Sequence, residues 1–263
     1  MARQPRYPSG AQMIRGPQAY VGGIEMSSKP DDYVSIYTPP LKLEPTTTCL
    51  VVVDLMYATG HPDFGLGRLL KEQGKFDEAT YRFARIDELV VPNTLRLLAW
   101  AREHDMRRIF LSYGSEVSDY SDLSPQVFEL CRATRNRVGY REHEILEELE
   151  RRDDERLINK LTPSAFASSP MELILRTYGC DTLLFTGVST NMCVEGTLRD
   201  ASDRGFGCVL VEDACGADSE AYHAASCVVI QRLYGHVATT LDVIGHLERG
   251  RAQAATRVSV PGR

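Results

Sequence analysis

Along most of the chain, short apolar runs alternate with stretches whose apolar residues recur at helical spacing. Cys49-Leu-Val-Val-Val-Asp54 is a continuous run rich in valine, the pattern of a strand buried on both faces of a parallel sheet. It predicts a strand that ends in a carboxylate. Leu89, Val90, Leu97, Leu98 and Trp100 predict a helix over 86–104, and residues 108–113 read as a second strand. The stretch 114–142 is rich in Ser, Asp and Arg and reads mostly as loop, followed by a short charged helix over 143–151. Residues 156–160 predict a third strand closing in Lys160, with Pro163 and Ser164 turning the chain out of it. A helix over 171–178 stops at Gly179, a usual residue just past a helix end. Strand 182–187, helix 191–204, strand 208–212, helix 219–233 and a last strand over 237–240 follow.

Six strands alternating with helices predict a single doubly wound α/β domain, a six-stranded, mostly parallel sheet flanked by helices with right-handed crossovers. The domain is expected over 46–250. Residues 1–45 hold seven prolines and no helical period, so an extended N-terminal arm, on the surface or reaching a neighbouring subunit, and a disordered tail both fit. Residues 251–263 are expected to form a C-terminal tail.

Composition narrows the functional classes. With 263 residues, 43% hydrophobic and 25% charged, the chain has the balance of an ordinary soluble domain with a substantial core. A net charge of -6 gives no general attraction for nucleic acid or an anionic membrane, which leaves a small-molecule substrate as the expected partner. The longest apolar runs fall far short of the roughly 20 residues that span a bilayer, so no membrane segment is expected. Arg3 and Arg6 are followed by Pro8, Ser9, Gly10 and Gln12 and not by an apolar core, so a secretory signal is not expected. Seven cysteines, an odd number set mostly in apolar runs, fit a reduced cytoplasmic setting. No CxxC pair exists, and the six histidines show no HxH or HExxH spacing, so neither a metal nor another cofactor is expected.

In open α/β sheets, ligands bind outside the carboxyl ends of the strands. Asp54, Lys160 and Cys193 all fall at or just beyond such ends. Cys193 lies where the fourth strand turns into a helix, so free amides and the helix dipole would favour a thiolate there and could hold an oxyanion. A small buried cysteine filling space explains the same position. Asp54, at the end of a buried run, needs a cationic partner, and Lys160 can supply one. A plain structural ion pair is one reading. As chemistry, Asp54 would take the thiol proton and return it to the leaving amine, while Lys160 holds the carboxylate and lowers the thiol pKa.

Asn159-Lys160, Ser164-Ala-Phe-Ala and Thr186-Gly-Val-Ser-Thr-Asn-Met-Cys-Val-Glu-Gly-Thr resemble the isochorismatase-like cysteine hydrolases, Rossmann-like enzymes, over roughly 46–246. The likeness is to their amide- and carbamoyl-cleaving branch, which includes carbamoylsarcosine amidohydrolase and biuret and triuret hydrolases. The resemblance implies an Asp54, Lys160 and Cys193 triad and homo-oligomers, dimers or tetramers. It also implies a cis peptide between Val188 and Ser189 that, with the Cys193 amide, serves the oxyanion. Metal-binding relatives carry an Asp-x-His pair and a further His after the first strand. Here only His61 and His104 occur over 61–110. The expected activity is metal-independent hydrolysis of a C–N bond in a small amide, ureide or carbamoyl compound through a covalent thioacyl intermediate. Biuret, triuret and carbamoylsarcosine form the narrower expectation. An ester or vinyl-ether hydrolase that does not need Cys193, and a redox sensor pairing Cys193 with Cys215, are the competing readings.

Around the pocket, Tyr57 and Phe64 could pack on a flat substrate and Asn191 could bond a substrate carbonyl or cap the helix; for Gln231 the resemblance implies a reach to a urea-like group, and a polar surface residue is the other reading. His61 and Asp63 could relay a proton. Arg132, Arg135, Arg137 and Arg141 would suit an anionic substrate, or form a solvated basic loop.

Overall fold

The computed structural model describes residue 34, residues 37–41 and residues 43–258, with side chains described as far as residue 252. The expected arm over 1–45 therefore lies largely outside the described residues. Six strands, β1 Thr48–Val53, β2 Arg107–Tyr113, β3 Arg156–Lys160, β4 Thr182–Val188, β5 Gly207–Gly216 and β6 His236–Ala238, form one sheet in the order β3-β2-β1-β4-β5-β6. All pairings are parallel. The helices are α1 Tyr57–Gly60, α2 Gly65–Glu72, α3 Thr80–Arg85, α4 Val91–Glu103, α5 Pro125–Thr134, α6 Ala165–Ser168, α7 Met171–Thr177, α8 Glu195–Asp203, α9 Glu220–Val229 and α10 Thr240–Val258.

The period-two alternation of strand side chains divides the core. Leu50 and Val52 of β1 pack with Leu97 and Leu98 of α4 and Leu247 of α10. Cys49, Val51 and Val53 pack on the other face with Leu175 of α7 and Leu198 of α8. Both faces are covered, which is why the run at 49–53 is apolar without alternation. Strand order reverses between β1 and β4, where Val53 lies opposite Gly187. Gly187 has φ +110, and a Cβ there would stand 2.0 Å from the Val53 carbonyl oxygen, so the approach of these two strand ends requires glycine.

Several elements differ from expectation. The helix expected to begin at residue 86 is preceded by α3 and joined to it through a π-helical segment, Ile86–Val90. Pro92, in the first turn of α4, has no N–H to offer the turn before it, which accounts for the irregular joint. α5 occupies part of the expected loop 114–142: Val127, Cys131 and Thr134 face inward at helical spacing. The helix expected over 143–151 is replaced by two 3₁₀ turns, Arg141–His143 and Glu147–Leu149. Its backbone is engaged elsewhere, because Leu146 N–H donates to Leu55 C=O and Tyr57 N–H donates to Glu144 C=O, each at 3.0 Å. α10 runs through the expected domain end at residue 250. At the other end Leu43 is buried in the core, so the chain joins the fold before residue 46.

Candidate active site

The three reactive residues meet at the crevice where strand order reverses. Asp54 follows β1 directly. Its N–H donates to Leu111 C=O at 3.1 Å, extending the ladder by one residue, and its φ of +51 lies in the left-handed region that Asp tolerates better than most residues. Its carbonyl accepts the Thr59 hydroxyl. Lys160 is the last residue of β3, opposite Tyr113 of β2, and passes across β2 fully buried. Its Nζ donates to Asp54 Oδ2 at 2.8 Å and to Cys193 Sγ at 3.4 Å, and sits 4.8 Å from the centre of the Tyr113 ring. Cys193 stands half-buried in a π-helical turn, Thr190–Val194, that leads into α8. The peptide bond between Val188 and Ser189, just before that turn, is cis.

Burial dominates the electrostatics of this cluster. Loss of solvent raises the Asp54 carboxyl above its ordinary value, with Lys160 pulling the other way. For Lys160, burial lowers the pKa, but the Asp54 carboxylate and the hydrogen bonds to Asp54 and Cys193 outweigh it and leave the ammonium favoured. The Cys193 thiol is pushed up to about 12, first by burial and then by the Asp54 carboxylate, against the lowering effect of Lys160. Here the helix-start argument fails. The resting sulfur is a thiol, because desolvation of the anion exceeds what one ammonium returns. Among the described residues, Asp54 Oδ1 has no hydrogen-bond partner, so an acceptor stands open in the same cluster as the thiol.

A cavity of about 370 Å³ opens on Asp54 and Cys193, with Tyr113, Val188 and Ser189 among its lining residues. Its polar edge holds Arg82, Glu78 and Asp218, and its walls include Leu66, Leu70, Leu130 and Met192. Arg82 was not visible as a site residue in the sequence. It is buried, and its Nε and Nη2 donate to Thr59 C=O at 3.1 and 3.0 Å. Its Nη1 donates to Ser189 Oγ at 2.6 Å and to Asp218 Oδ1 at 2.9 Å. It thus ties the loop after β1 to the turn that carries Cys193. The next residue of that turn is braced too, Thr190 Oγ1 lying 3.0 Å from His223 Nδ1. Tyr113 ends β2 and was open to the same strand-end argument as Asp54. Arg82 gave no such signal, since its burial depends on Thr59, Ser189 and Asp218, which are remote from it in sequence.

Four expected substrate-binding residues lie outside the cavity lining. Tyr57 is buried in the core under Arg141, whose guanidinium carbon is 3.9 Å from the ring centre. Phe64 packs edge-on to Tyr57 at 5.1 Å. Asn191 does not cap the turn, since Ser189 occupies the cap position, and its Oδ1 is buried without a hydrogen-bond partner among the described residues. Gln231 is neither on the surface nor in the cavity: it is buried, and its Oε1 accepts the Val237 N–H at 2.7 Å. His61 stacks on Tyr57 and Asp63 pairs with Lys71 at 2.6 Å, away from Cys193. Arg132 pairs with Glu129, Arg141 with Glu144 and Glu147, and Arg137 covers Tyr140; neither these three nor Arg135 line the cavity. Cys215 is buried within β5 beside Gly187. Among the described residues, no helix is long and apolar enough to cross a membrane.

Comparison with known proteins agrees with this architecture. Ureidoacrylate amidohydrolase RutB of Methylobacterium radiotolerans is 28% identical over 240 residues, 86% of this chain and 86% of that one. The protein of the same name from Agrobacterium fabrum is 28% identical over 224 residues, 78% of this chain and 92% of its own. A cysteine hydrolase structure from Pseudomonas syringae pv. phaseolicola 1448A superposes with a TM-score of 0.67 at 24% identity, covering 81% of this chain and 98% of that one. N-carbamoylsarcosine amidase from Thermoplasma acidophilum superposes with a TM-score of 0.56 at 22% identity, over 74% and 96%. These two likenesses show a shared fold. Residues 77–242, which include Lys160 and Cys193, match the Isochorismatase domain, and the chain belongs to that family, as an isochorismatase-like cysteine hydrolase.

Proposed function

We propose that the protein hydrolyses a C–N bond of a small amide, ureide or carbamoyl compound, with Cys193 as nucleophile, Asp54 as proton carrier and Lys160 as the cation that holds both. One observation carries the reading: a fully buried ammonium bridges the carboxylate and the thiol at 2.8 and 3.4 Å at the end of a ligand-sized cavity. The curated relatives named for ureidoacrylate hydrolysis support the C–N bond as the target.

A thiol held up to about 12 does not attack unaided, so a base must remove its proton as the bond forms. Asp54 Oδ1, the open acceptor, takes that proton, and its raised pKa makes it the better base. The sulfur adds to the carbonyl carbon. The oxyanion that results is assigned to the turn between Val188, Ser189 and Cys193. There the Met192 and Val194 amides are engaged by the Ser189 carbonyl, and the Cys193 amide makes neither of those bonds. Collapse breaks the C–N bond, and the nitrogen leaves as ammonia or an amine with the proton from Asp54. A water, deprotonated by Asp54, then attacks the thioacyl carbon, releases the acid or carbamate and returns the proton to sulfur.

A sensor cysteine works through a low thiol pKa and an accessible partner. The raised thiol and the buried Cys215 favour hydrolysis over that role. A cytoplasmic homo-oligomer is the setting we assign, with the exposed Tyr222, Val229 and Leu233 available to a second copy. Cys193→Ala is expected to keep the fold and abolish ammonia release, while the wild type mixed with substrate shows an acyl mass adduct on Cys193. Undiminished ammonia release by the variant would remove Cys193 from the nucleophile role, and ester or vinyl-ether turnover by the variant without ammonia release would leave the cysteine-independent chemistry as the better account.

A further inference from the structure

Among the described residues, the cavity lining holds one cation, Arg82, and three acids, Asp54, Glu78 and Asp218. Two of the acids are paired. Asp54 is matched by Lys160 at 2.8 Å and Asp218 by Arg82 at 2.9 Å, and Glu78 remains on the exposed rim. Four of the five Arg82 N–H donors are engaged: Nε and one hydrogen of Nη2 serve the Thr59 carbonyl, while Nη1 serves Ser189 and Asp218. A carboxylate entering this space finds at most one remaining Nη2 hydrogen on a cation whose charge Asp218 already offsets, with Asp54 and Glu78 as like charges in the same lining, a poor exchange for its hydration.

Part of the lining is apolar. Leu66 and Leu70, one turn apart on α2, share it with Leu130 of α5 and Met192. Leu130 and Met192 are 41% and 55% exposed. Large apolar side chains standing in water at the mouth of a reactive cavity mark a surface that a ligand covers.

Resting on the hydrolase reading above, we infer that the substrate is an uncharged amide or carbamoyl compound whose scissile carbonyl carries an apolar alkyl or aryl body lying against Leu66, Leu70, Leu130 and Met192. Arg82 then acts as a positioning residue for the nucleophile turn and excludes nothing by charge of its own. Ureido and carbamoyl acids, which bring a carboxylate, are discriminated against.

Ammonia release from wild-type protein tests this with two matched pairs, hexanamide against adipamic acid and butylurea against γ-ureidobutyrate, and with the alkanamides from propanamide to hexanamide. Each added methylene is expected to raise kcat/KM roughly 4-fold, the equivalent of about 0.8 kcal/mol of transfer. The carboxylated member of each pair is expected to be slower by on the order of 100-fold. Leu130→Lys, at an exposed position, is expected to narrow that gap about 10-fold by placing a cation on the wall. Carboxylated members that match or outrun the neutral ones, or a rate independent of chain length, overturn the inference and leave the hydrolase reading standing. Release from neither class, together with no acyl adduct on Cys193, overturns the hydrolase reading itself.

Discussion

Replacing Lys160 by Met removes the ammonium while keeping a long unbranched side chain in its channel. Lys160 and Asp54 are 0% and 1% exposed, so the variant leaves a carboxylate in the interior with this ion-pair partner gone. Breaking a buried pair from one side costs about 3–5 kcal/mol. That cost appears as a further rise in the folded-state pKa of Asp54, which burial already raises in the wild type. A carboxyl with a higher pKa folded than unfolded binds its proton more tightly in the fold, so its ionisation opposes folding. The deficit is complete above the folded value and vanishes below the unfolded one. Urea unfolding of Lys160→Met should therefore show a loss of about 3–5 kcal/mol near pH 8 that shrinks steadily toward about pH 5. The double variant Asp54→Leu with Lys160→Met should recover to within about 1 kcal/mol of the wild type, since the orphaned charge is then absent. A loss that does not change with pH, or a double variant no more stable than the single one, would show that Lys160 contributes packing and not charge, and the electrostatic account of the site would fall with it.

Two further outcomes follow from the geometry. With the thiol pushed up to about 12, alkylation of the resting protein by iodoacetamide, followed on Cys193 by peptide mass, should rise about tenfold per pH unit from about pH 7 to about pH 9; a plateau within that range would mean a preformed thiolate. Gln231→Leu removes the acceptor of the Val237 N–H and should cost about 1–3 kcal/mol in chemical denaturation with KM unchanged, whereas an effect confined to KM would return Gln231 to the substrate site.

The sheet and its reactive edge were legible because they follow from local pattern. The apolar run ending in Asp54 reads as a strand whatever surrounds it, and strands closing in Asp54 and Lys160 place both groups on one edge once crossovers are right-handed. α5 was missed because three inward residues, Val127, Cys131 and Thr134, are a weak stripe in a polar stretch. The helix expected over 143–151 was lost to pairing with Leu55 and Tyr57, some 90 residues away, which no local window contains.

By itself, then, the sequence determined the alternation of strands and helices, the candidate triad and the turn that presents Cys193, since side-chain period and motif spacing act over a few residues. Only the tertiary structure decided the proton on that sulfur, the burial of Arg82 between Thr59, Ser189 and Asp218, the core roles of Tyr57 and Gln231, and the apolar part of the cavity lining. Proton affinity and cavity shape depend on which side chains exclude water from a point. Those neighbours come from α2, α3, α5 and the ends of β1, β2 and β4, and only the folded chain brings them together.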